Sequence, residues 1–218
     1  MNDRHMAKIL RLLEKDLENR ELPIVSQMAD DRRDPFAILI STLLSLRTKD
    51  EVTATAAERL LALAATPEEM LRLSAAEIQK AIYPVGFYRT KAETILRTCR
   101  ELLDRFHGRV PDTLEALLSL KGVGRKTANL VVSLGFGGAG LCVDTHVHRI
   151  SNRLGYVRTR NPEETEFALR KKLPRKHWSR YNTLLVAFGR NVCRPLSPRC
   201  SACPIAACCD RVGVKKSR

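Results

Sequence analysis

The chain has 218 residues, of which 44% are hydrophobic and 28% are charged. These proportions are typical of a globular protein and argue against disorder. The longest segment without a charge or a proline lies around Leu130–Val143 and is interrupted by four glycines, whereas a membrane-spanning helix needs about 20 mostly apolar residues. The N-terminus lacks the apolar stretch of a secretory signal, so we expect a cytoplasmic protein.

Positive charge is concentrated in the last third of the chain. The 38 Lys and Arg exceed the 24 Asp and Glu, which gives a net charge of +14. Residues 1–144 contain 21 basic and 20 acidic side chains, and residues 145–218 contain 17 and 4, so +13 lies in the second segment. This asymmetry favours a polyanionic partner, and nucleic acid over a membrane, because no basic amphipathic helix carries bulky aromatic residues. A solvated basic face is the alternative.

Apolar residues recur at helical spacing through most of the sequence. The first such set is Met6, Ile9, Leu10, Leu13 and Leu17. Residues of the helix-capping type precede five later helices, at Asp34, Thr66, Ser74, Asp112 and Asn161. A further helix is predicted over Tyr88–His107, ended by Gly108. Since no segment alternates with period two, we predict an all-α fold of roughly ten short helices, with an internal boundary near Gly137–Leu141.

The segment Leu120–Asn129 has the pattern of a DNA-binding helix-hairpin-helix motif. A short helix, Thr113–Leu120, leads into Gly122-Val123-Gly124, and a second helix begins near Arg125. Glycines let the backbone turn tightly and approach a phosphate, and the amides at a helix N-terminus point at the anion. An ordinary helix–helix connection with a glycine at the helix end is the alternative.

Two residues are candidates for catalysis. Lys126 lies in the first turn of the second helix, where its amine suits either nucleophilic attack or contact with a phosphate. Asp144 follows a glycine-rich loop and precedes a periodic segment, which predicts a helix N-cap with a carboxylate that suits electrostatic stabilisation or base catalysis. A purely structural cap is the alternative. His146 and His148 are interpreted as packing or DNA-facing residues, because no nearby carboxylate or third histidine completes a metal site.

Five of the seven cysteines lie within 17 residues. Without a secretory signal, such a cluster favours metal binding over disulfides. The spacing fits a tetrathiolate site for either a [4Fe–4S] cluster or zinc, formed by Cys193, Cys200, Cys203 and Cys209. Cys208 is an alternative fourth ligand. A metal site would make the loop that carries Arg194 and Arg199 rigid, which suits phosphate binding.

Together these motifs resemble the endonuclease III family of helix-hairpin-helix DNA glycosylases. The resemblance rests on the cysteine spacing and on Asp34–Asp50, Gly86–Arg100, Leu120–Asn129 and Val143–Arg149. It implies two helical lobes with DNA in the cleft between them. Residues 23–136 would form a six-helix lobe with the hairpin at about 113–132. Residues 1–22 and 137–218 would form the iron–sulfur cluster lobe.

The resemblance also implies a monomeric DNA N-glycosylase and AP lyase of base excision repair, acting on double-stranded DNA with oxidised pyrimidines or abasic sites. In this family the hairpin lysine, here Lys126, attacks C1′ of a flipped nucleotide, and the aspartate, here Asp144, stabilises positive charge on the sugar. A Schiff base and β-elimination then nick the strand 3′ to the lesion. The implied cofactor is [4Fe–4S], with Cys209 as the fourth ligand. The implied DNA-binding residues are Arg47, Lys121, Gly122, Val123, Gly124, Arg125, Thr127, Arg194 and Arg199.

Two positions depart from the family pattern. Lys121 replaces a usual proline, which adds a phosphate contact but leaves the hairpin less rigid. Arg47 replaces a glutamine that fills the gap left by the flipped base, so the lesion and opposite-base preferences stay open. Adenine glycosylases and thymine- or uracil-mismatch glycosylases are alternatives that Lys126 disfavours, and the nine residues after Cys209 leave no room for an adenine glycosylase's second domain. A non-catalytic DNA-binding module would need neither Lys126 nor Asp144.

Overall fold

The structure is a computed structural model that describes residues 3–18, 25–26 and 34–218. The regular elements of these residues are all helical, with no strand among them, which confirms the predicted all-α class. Within the same residues no helix is both long and apolar enough to cross a membrane.

The contacts divide the chain into two compact units. One unit, here called the cysteine unit, joins the first helix, α1 (Asp3–Leu17), to residues Leu141–Arg218. The other, here called the hairpin unit, contains the described residues from 25 to Gly140. The chain therefore passes from one unit to the other at the glycine-rich segment 137–141.

The hairpin unit is built around one apolar helix. Its helices with both ends described are α2 (Pro35–Ser45), α3 (Asp50–Leu63), α4 (Pro67–Met70), α5 (Ala75–Ile82), α6 (Tyr88–Phe106), α7 (Leu114–Leu118) and α8 (Arg125–Leu130). A π-helical turn, Val131–Gly135, continues α8. Eight of the eleven residues of α2 are buried. A helix that is apolar on all sides must be surrounded, and α2 contacts α3, α6, α8 and the π-helical turn.

The cysteine unit packs around α11 (Trp178–Asn191). Its other helices are α1, α9 (Thr145–Arg153) and α10 (Pro162–Lys172), with 3-10 turns at Arg175–His177 and Ala206–Cys208. The α11 helix contacts α1 and α9. The periodic residues predicted for the first helix pack as expected, since Met6, Ile9, Leu10 and Leu13 are buried.

Four of the predicted N-caps are confirmed, and one is wrong by a single residue. The side chains of Asp34, Thr66, Ser74 and Asn161 each accept a hydrogen bond from an amide in the first turn of their helix. In α7 the cap is Thr113, whose Oγ1 accepts from the amide of Ala116 (3.3 Å), and not Asp112. Both residues carry a capping oxygen, and the helix begins one residue later than the sequence pattern predicts.

Candidate functional site

The predicted hairpin is present, and its two glycines have different surroundings. Gly122 has φ +93°, and a Cβ there would lie 2.5 Å from Cγ2 of Thr94, so the turn requires glycine. Gly124 precedes α8 with φ −89°, and nothing lies within 4 Å of the position a Cβ would take. The second glycine therefore leaves open space beside the first amides of α8, where an anion could approach.

Polar contacts from α6 hold the hairpin in place. Oε2 of Glu101 accepts from the amide of Lys121 (3.2 Å) and from Nη1 of Arg105 (3.3 Å). The same arginine donates to the carbonyl (3.2 Å) and the hydroxyl (2.7 Å) of Ser119. These bonds fix the backbone of the turn while the Lys121 side chain stays exposed.

The residues predicted to bind DNA at the hairpin fall into two groups. Lys121 is exposed, and Arg125 and Lys126 are partly buried in the first turn of α8. Val123 (6% exposed) and Thr127 (1% exposed) instead direct their side chains into the core. Only the main chain of these two residues can therefore face a phosphate, while the side chains anchor the turn.

Asp144 is the N-cap of α9, as its position in the sequence predicts. Its Oδ1 accepts from the amides of His146 and Val147, both at 2.9 Å. Both bonds use the same oxygen, so the carboxylate can still face a ligand through Oδ2. The two histidines of this segment are engaged within the fold: Nδ1 of His146 lies 3.1 Å from Nη2 of Arg149, and Nδ1 of His148 lies 2.7 Å from Oγ1 of Thr165. Burial lowers the pKa of His148 below its ordinary value.

Four cysteines line one small cavity of about 30 Å³ that is partly open to solvent. They are Cys193, Cys200, Cys203 and Cys209, and Cys208 does not line this cavity. The rest of the wall is largely apolar, from residues such as Ile150, Phe188, Val192, Ile205 and Val214. The arrangement distinguishes Cys209 from Cys208, which the spacing alone left open.

The chemistry of this donor set suits a metal cluster. Burial raises the pKa of the Cys203 thiol to about 11 and also raises the pKa of Cys209, so a positively charged metal centre would be needed to keep these sulfurs as thiolates. Two sulfurs already accept N–H hydrogen bonds: Nη1 of Arg153 donates to Sγ of Cys193, and the amide of Arg211 donates to Sγ of Cys209, both at 3.4 Å. Among the described residues, no three His, Cys, Asp or Glu side chains are grouped closely enough to hold one metal ion.

The loop after Cys193 presents side chains to solvent from a fixed backbone. Arg194, Leu196 and Arg199 are exposed, with Leu196 at 87%. The guanidinium of Arg153 donates to the carbonyls of Arg194 (2.6 Å) and Pro195 (2.7 Å). The predicted basic loop is therefore formed, and α9 holds it through one arginine.

Comparison with known proteins places these features in one family. Residues 40–175 match the HhH-GPD superfamily of base excision DNA repair proteins. Endonuclease III from Thermotoga maritima is 50% identical over 177 residues, which are 81% of this chain and 83% of that protein. Endonuclease III from Escherichia coli K12 is 37% identical over 204 residues, 94% of this chain and 95% of that protein. The chain belongs to the endonuclease III family.

Solved structures agree with this assignment. The structure of a trapped endonuclease III–DNA covalent intermediate matches 97% of this chain and 97% of that chain, with a TM-score of 0.85 and 34% sequence identity. As a member of the endonuclease III family, the chain is a bifunctional DNA glycosylase and lyase of base excision repair.

Sequence reasoning missed a contact beside Arg47. This exposed residue follows α2 with φ +55°, and its guanidinium lies 5.5 Å from the centre of the Phe87 ring. Phe87 is 62% exposed and also has a positive φ, +58°. An exposed aromatic ring beside an arginine is a surface that can stack on a base. Phe87 lies inside the segment Gly86–Arg100 that carried part of the resemblance, but a single phenylalanine gave no signal for this role.

Proposed function

We propose that this enzyme excises oxidised pyrimidines from duplex DNA and then nicks the strand 3′ to the lesion. The observation that carries the proposal is Lys126, a partly buried lysine in the first turn of α8, directly after a turn that leaves space for a phosphate beside Gly124. Lys126 lies two residues after Gly124, in the same first turn as these amides. The covalent DNA complex trapped for a similar protein supports a reaction through a covalent intermediate.

The proposed chemistry is nucleophilic substitution followed by elimination. Nζ of Lys126 attacks C1′ as the bond from C1′ to the base breaks, and the base leaves with the bonding electrons and takes up a proton. Opening of the sugar ring then gives a Schiff base between C1′ and Nζ. Loss of a proton from C2′ and departure of the 3′ phosphate cut the strand, and water hydrolyses the Schiff base to release the enzyme.

Asp144 supplies negative charge for this reaction. The bond to the base breaks with positive charge developing on the sugar, and an oriented carboxylate stabilises that charge. The two amide bonds to Oδ1 hold the group in one orientation, so it need not reorganise during the reaction. The same carboxylate can assist proton transfer.

The remaining predicted residues bind DNA. Lys121, Arg125 and the main chain of Gly122, Val123, Gly124 and Thr127 contact phosphates at the hairpin. Arg194 and Arg199 contact phosphates from the cysteine loop. Arg47, with Phe87 beside it, fills the space left by the flipped nucleotide, since flipping leaves an unpaired base opposite a gap.

The four cavity cysteines hold a [4Fe–4S] cluster, which is supported by four thiols that line one largely apolar cavity. Bound there, the cluster would supply structural cross-linking of the loop that carries the two arginines. Cys209→Ser and Cys208→Ser form a matched pair. We expect only the first to lose absorbance near 400 nm in purified protein. Loss in the second alone, or colourless wild-type protein loaded with zinc, would contradict this assignment.

Borohydride trapping tests the central proposal. Wild type and Lys126→Gln would be incubated with a duplex that carries one thymine glycol, and adducts would be resolved on a denaturing gel. We expect an adduct from wild type only, with DNA binding retained in Lys126→Gln. The control is Lys80→Gln, an exposed lysine of α5, which should trap like wild type. Base release by wild type without an adduct would instead indicate a monofunctional glycosylase.

A further inference from the structure

Lys91 is a buried lysine that the proposed chemistry does not use. It lies in the first turn of α6 and is only 9% exposed. Its Nζ donates to the carbonyls of Leu44 and Leu46, both at 2.6 Å, and to Oγ1 of Thr48 at 3.1 Å. An ammonium group has three N–H donors, and these three acceptors match them.

All three acceptors belong to one segment, the end of α2 and the turn after it. The last carbonyls of a helix have no donor within the helix, and a cation is favourable at this end of the helix dipole. Leu44 lies in the last turn of α2, and Leu46 follows its end with an extended backbone. The ammonium of Lys91 therefore holds together the two carbonyls that flank the point where α2 stops.

The same contact reaches the backbone on both sides of Arg47. Thr48 Oγ1, which accepts from Lys91, also accepts from the amide of Gly86 at 3.2 Å. A Cβ on Gly86 would lie 2.7 Å from the carbonyl oxygen of Arg47, so the two segments are in close contact. Between the residues bound by Lys91, Arg47 adopts φ +55°, a conformation that is uncommon for residues other than glycine.

We propose that Lys91 is a positioning residue, whose ammonium holds the Arg47 turn so that the arginine enters the duplex when a nucleotide is flipped. This inference rests on the proposed role of Arg47 at the gap. If Arg47 has that role, Lys91 should be needed for fast nicking of substrates in which flipping leaves a gap and an unpaired base. Substrates without an opposing base should not require it.

A role in stability alone is less consistent with the environment of Lys91. Burial lowers the pKa of this lysine to about 8, so the folded protein disfavours the charge that makes these bonds. Burying a charge costs free energy unless hydrogen bonds compensate for the lost water. The charged group is better explained by the geometry it imposes on residues 44–48 than by a gain in stability.

The experiment compares two abasic-site substrates. One is an intact duplex with adenine opposite the site. In the other, the three nucleotides facing the site are absent, so flipping leaves neither a gap in the stack nor an unpaired base. Nicking rates in single turnover would be measured for wild type, Lys91→Met, Arg47→Ala and the double variant. Lys80→Met is the control for removing an exposed lysine of the same unit.

We expect Lys91→Met to lose about tenfold in rate on the intact duplex, as misplaced groups typically do, and to match wild type on the gapped substrate. The double variant should be no slower than Arg47→Ala, because both changes remove one function. Equal loss on both substrates, additive losses, or no loss on the duplex would each overturn the inference.

A second variant separates positioning from misfolding. Thr48→Val removes one acceptor with little change of volume. We expect it to lower the nicking rate on the intact duplex only, by a smaller factor than Lys91→Met. Equal rates on the intact duplex for Thr48→Val and wild type would count against the proposal if Lys91→Met does not fold. Wild-type protein that nicks neither substrate would instead reject the proposed function, and the inference with it.

Discussion

Two nitrogens of the Arg149 guanidinium, Nε and Nη2, donate to the carbonyl oxygen of Cys193 at 3.3 and 2.9 Å. Arg149 and Arg153 lie one turn apart on α9, the helix that Asp144 caps, and Arg153 binds the next carbonyls of the same loop. One helix therefore carries the candidate aspartate at its start and holds the cysteine loop along its side. The loop is therefore held by the same helix that positions Asp144.

Replacing Arg153 should weaken DNA binding through the loop. Arg153→Leu removes the donors to Arg194 and Pro195 and the contact to Cys193. We expect an affinity for duplex DNA with an abasic-site analogue that is about tenfold lower, because Arg194 and Arg199 lose their fixed backbone. Arg158→Leu, at an exposed arginine of the same unit, is the control for lost charge. Equal effects of the two changes in a binding titration would contradict the prediction.

The two hairpin glycines should respond differently to alanine. Gly122→Ala introduces a Cβ at positive φ against Thr94, which should lower the unfolding free energy by about 2 kcal/mol or more. Gly124→Ala meets no atom in the free protein and should leave stability nearly unchanged while weakening DNA binding, because the methyl group occupies the space proposed for a phosphate. Thermal unfolding and binding titrations measure both quantities. Unchanged DNA affinity in Gly124→Ala would argue against phosphate binding there.

The charge of Asp144 should matter more than its capping bonds. Asparagine caps helices about as well as aspartate, so Asp144→Asn should keep the free energy of unfolding within about 0.5 kcal/mol. The rate of base release should fall about a hundredfold or more, since the stabilising charge is lost. Asp34→Asn makes the same exchange at the N-cap of α2 and should leave the rate unchanged. A fully active Asp144→Asn protein would show that the residue is only a cap.

Lys91 should make stability depend on pH. The pKa of Lys91 in the folded protein is about 8, whereas the pKa of a lysine in an unfolded chain is about 10.4. Between these values the unfolded chain binds a proton that the folded chain lacks, so the unfolding free energy of wild type rises with pH, by up to about 3 kcal/mol. Lys91→Met lacks this titration. Wild type should therefore gain stability relative to Lys91→Met from pH 7 to pH 10 in urea unfolding. A constant difference would contradict this.

Local signals in the sequence were sufficient for much of the fold. Capping side chains act on amides two or three residues away, so Asp34, Thr66, Ser74, Asn161 and Asp144 could be identified without tertiary information. The same holds for the Gly-Val-Gly turn, whose backbone conformation requires glycine at position 122. Where two neighbouring residues could both cap, at Asp112 and Thr113, the sequence pattern predicted the wrong one.

In the candidate site, too, the sequence indicated some features and only the tertiary structure shows the others. Residue type and spacing marked Lys126, Asp144 and the cysteine group as candidates, and the resemblance to the endonuclease III family implied their roles. Only the tertiary structure shows that Cys209 and not Cys208 lines the cavity, and that Val123 and Thr127 point into the core. It alone brings Lys91 to the end of α2 and Phe87 to Arg47, because these contacts join residues about 40 or more positions apart and depend on how helices pack. The sequence by itself determined the helices and most of their caps, since these follow from interactions between near neighbours, and its motifs indicated the family. The tertiary structure decided which side chains share a surface, because that depends on close packing of distant segments.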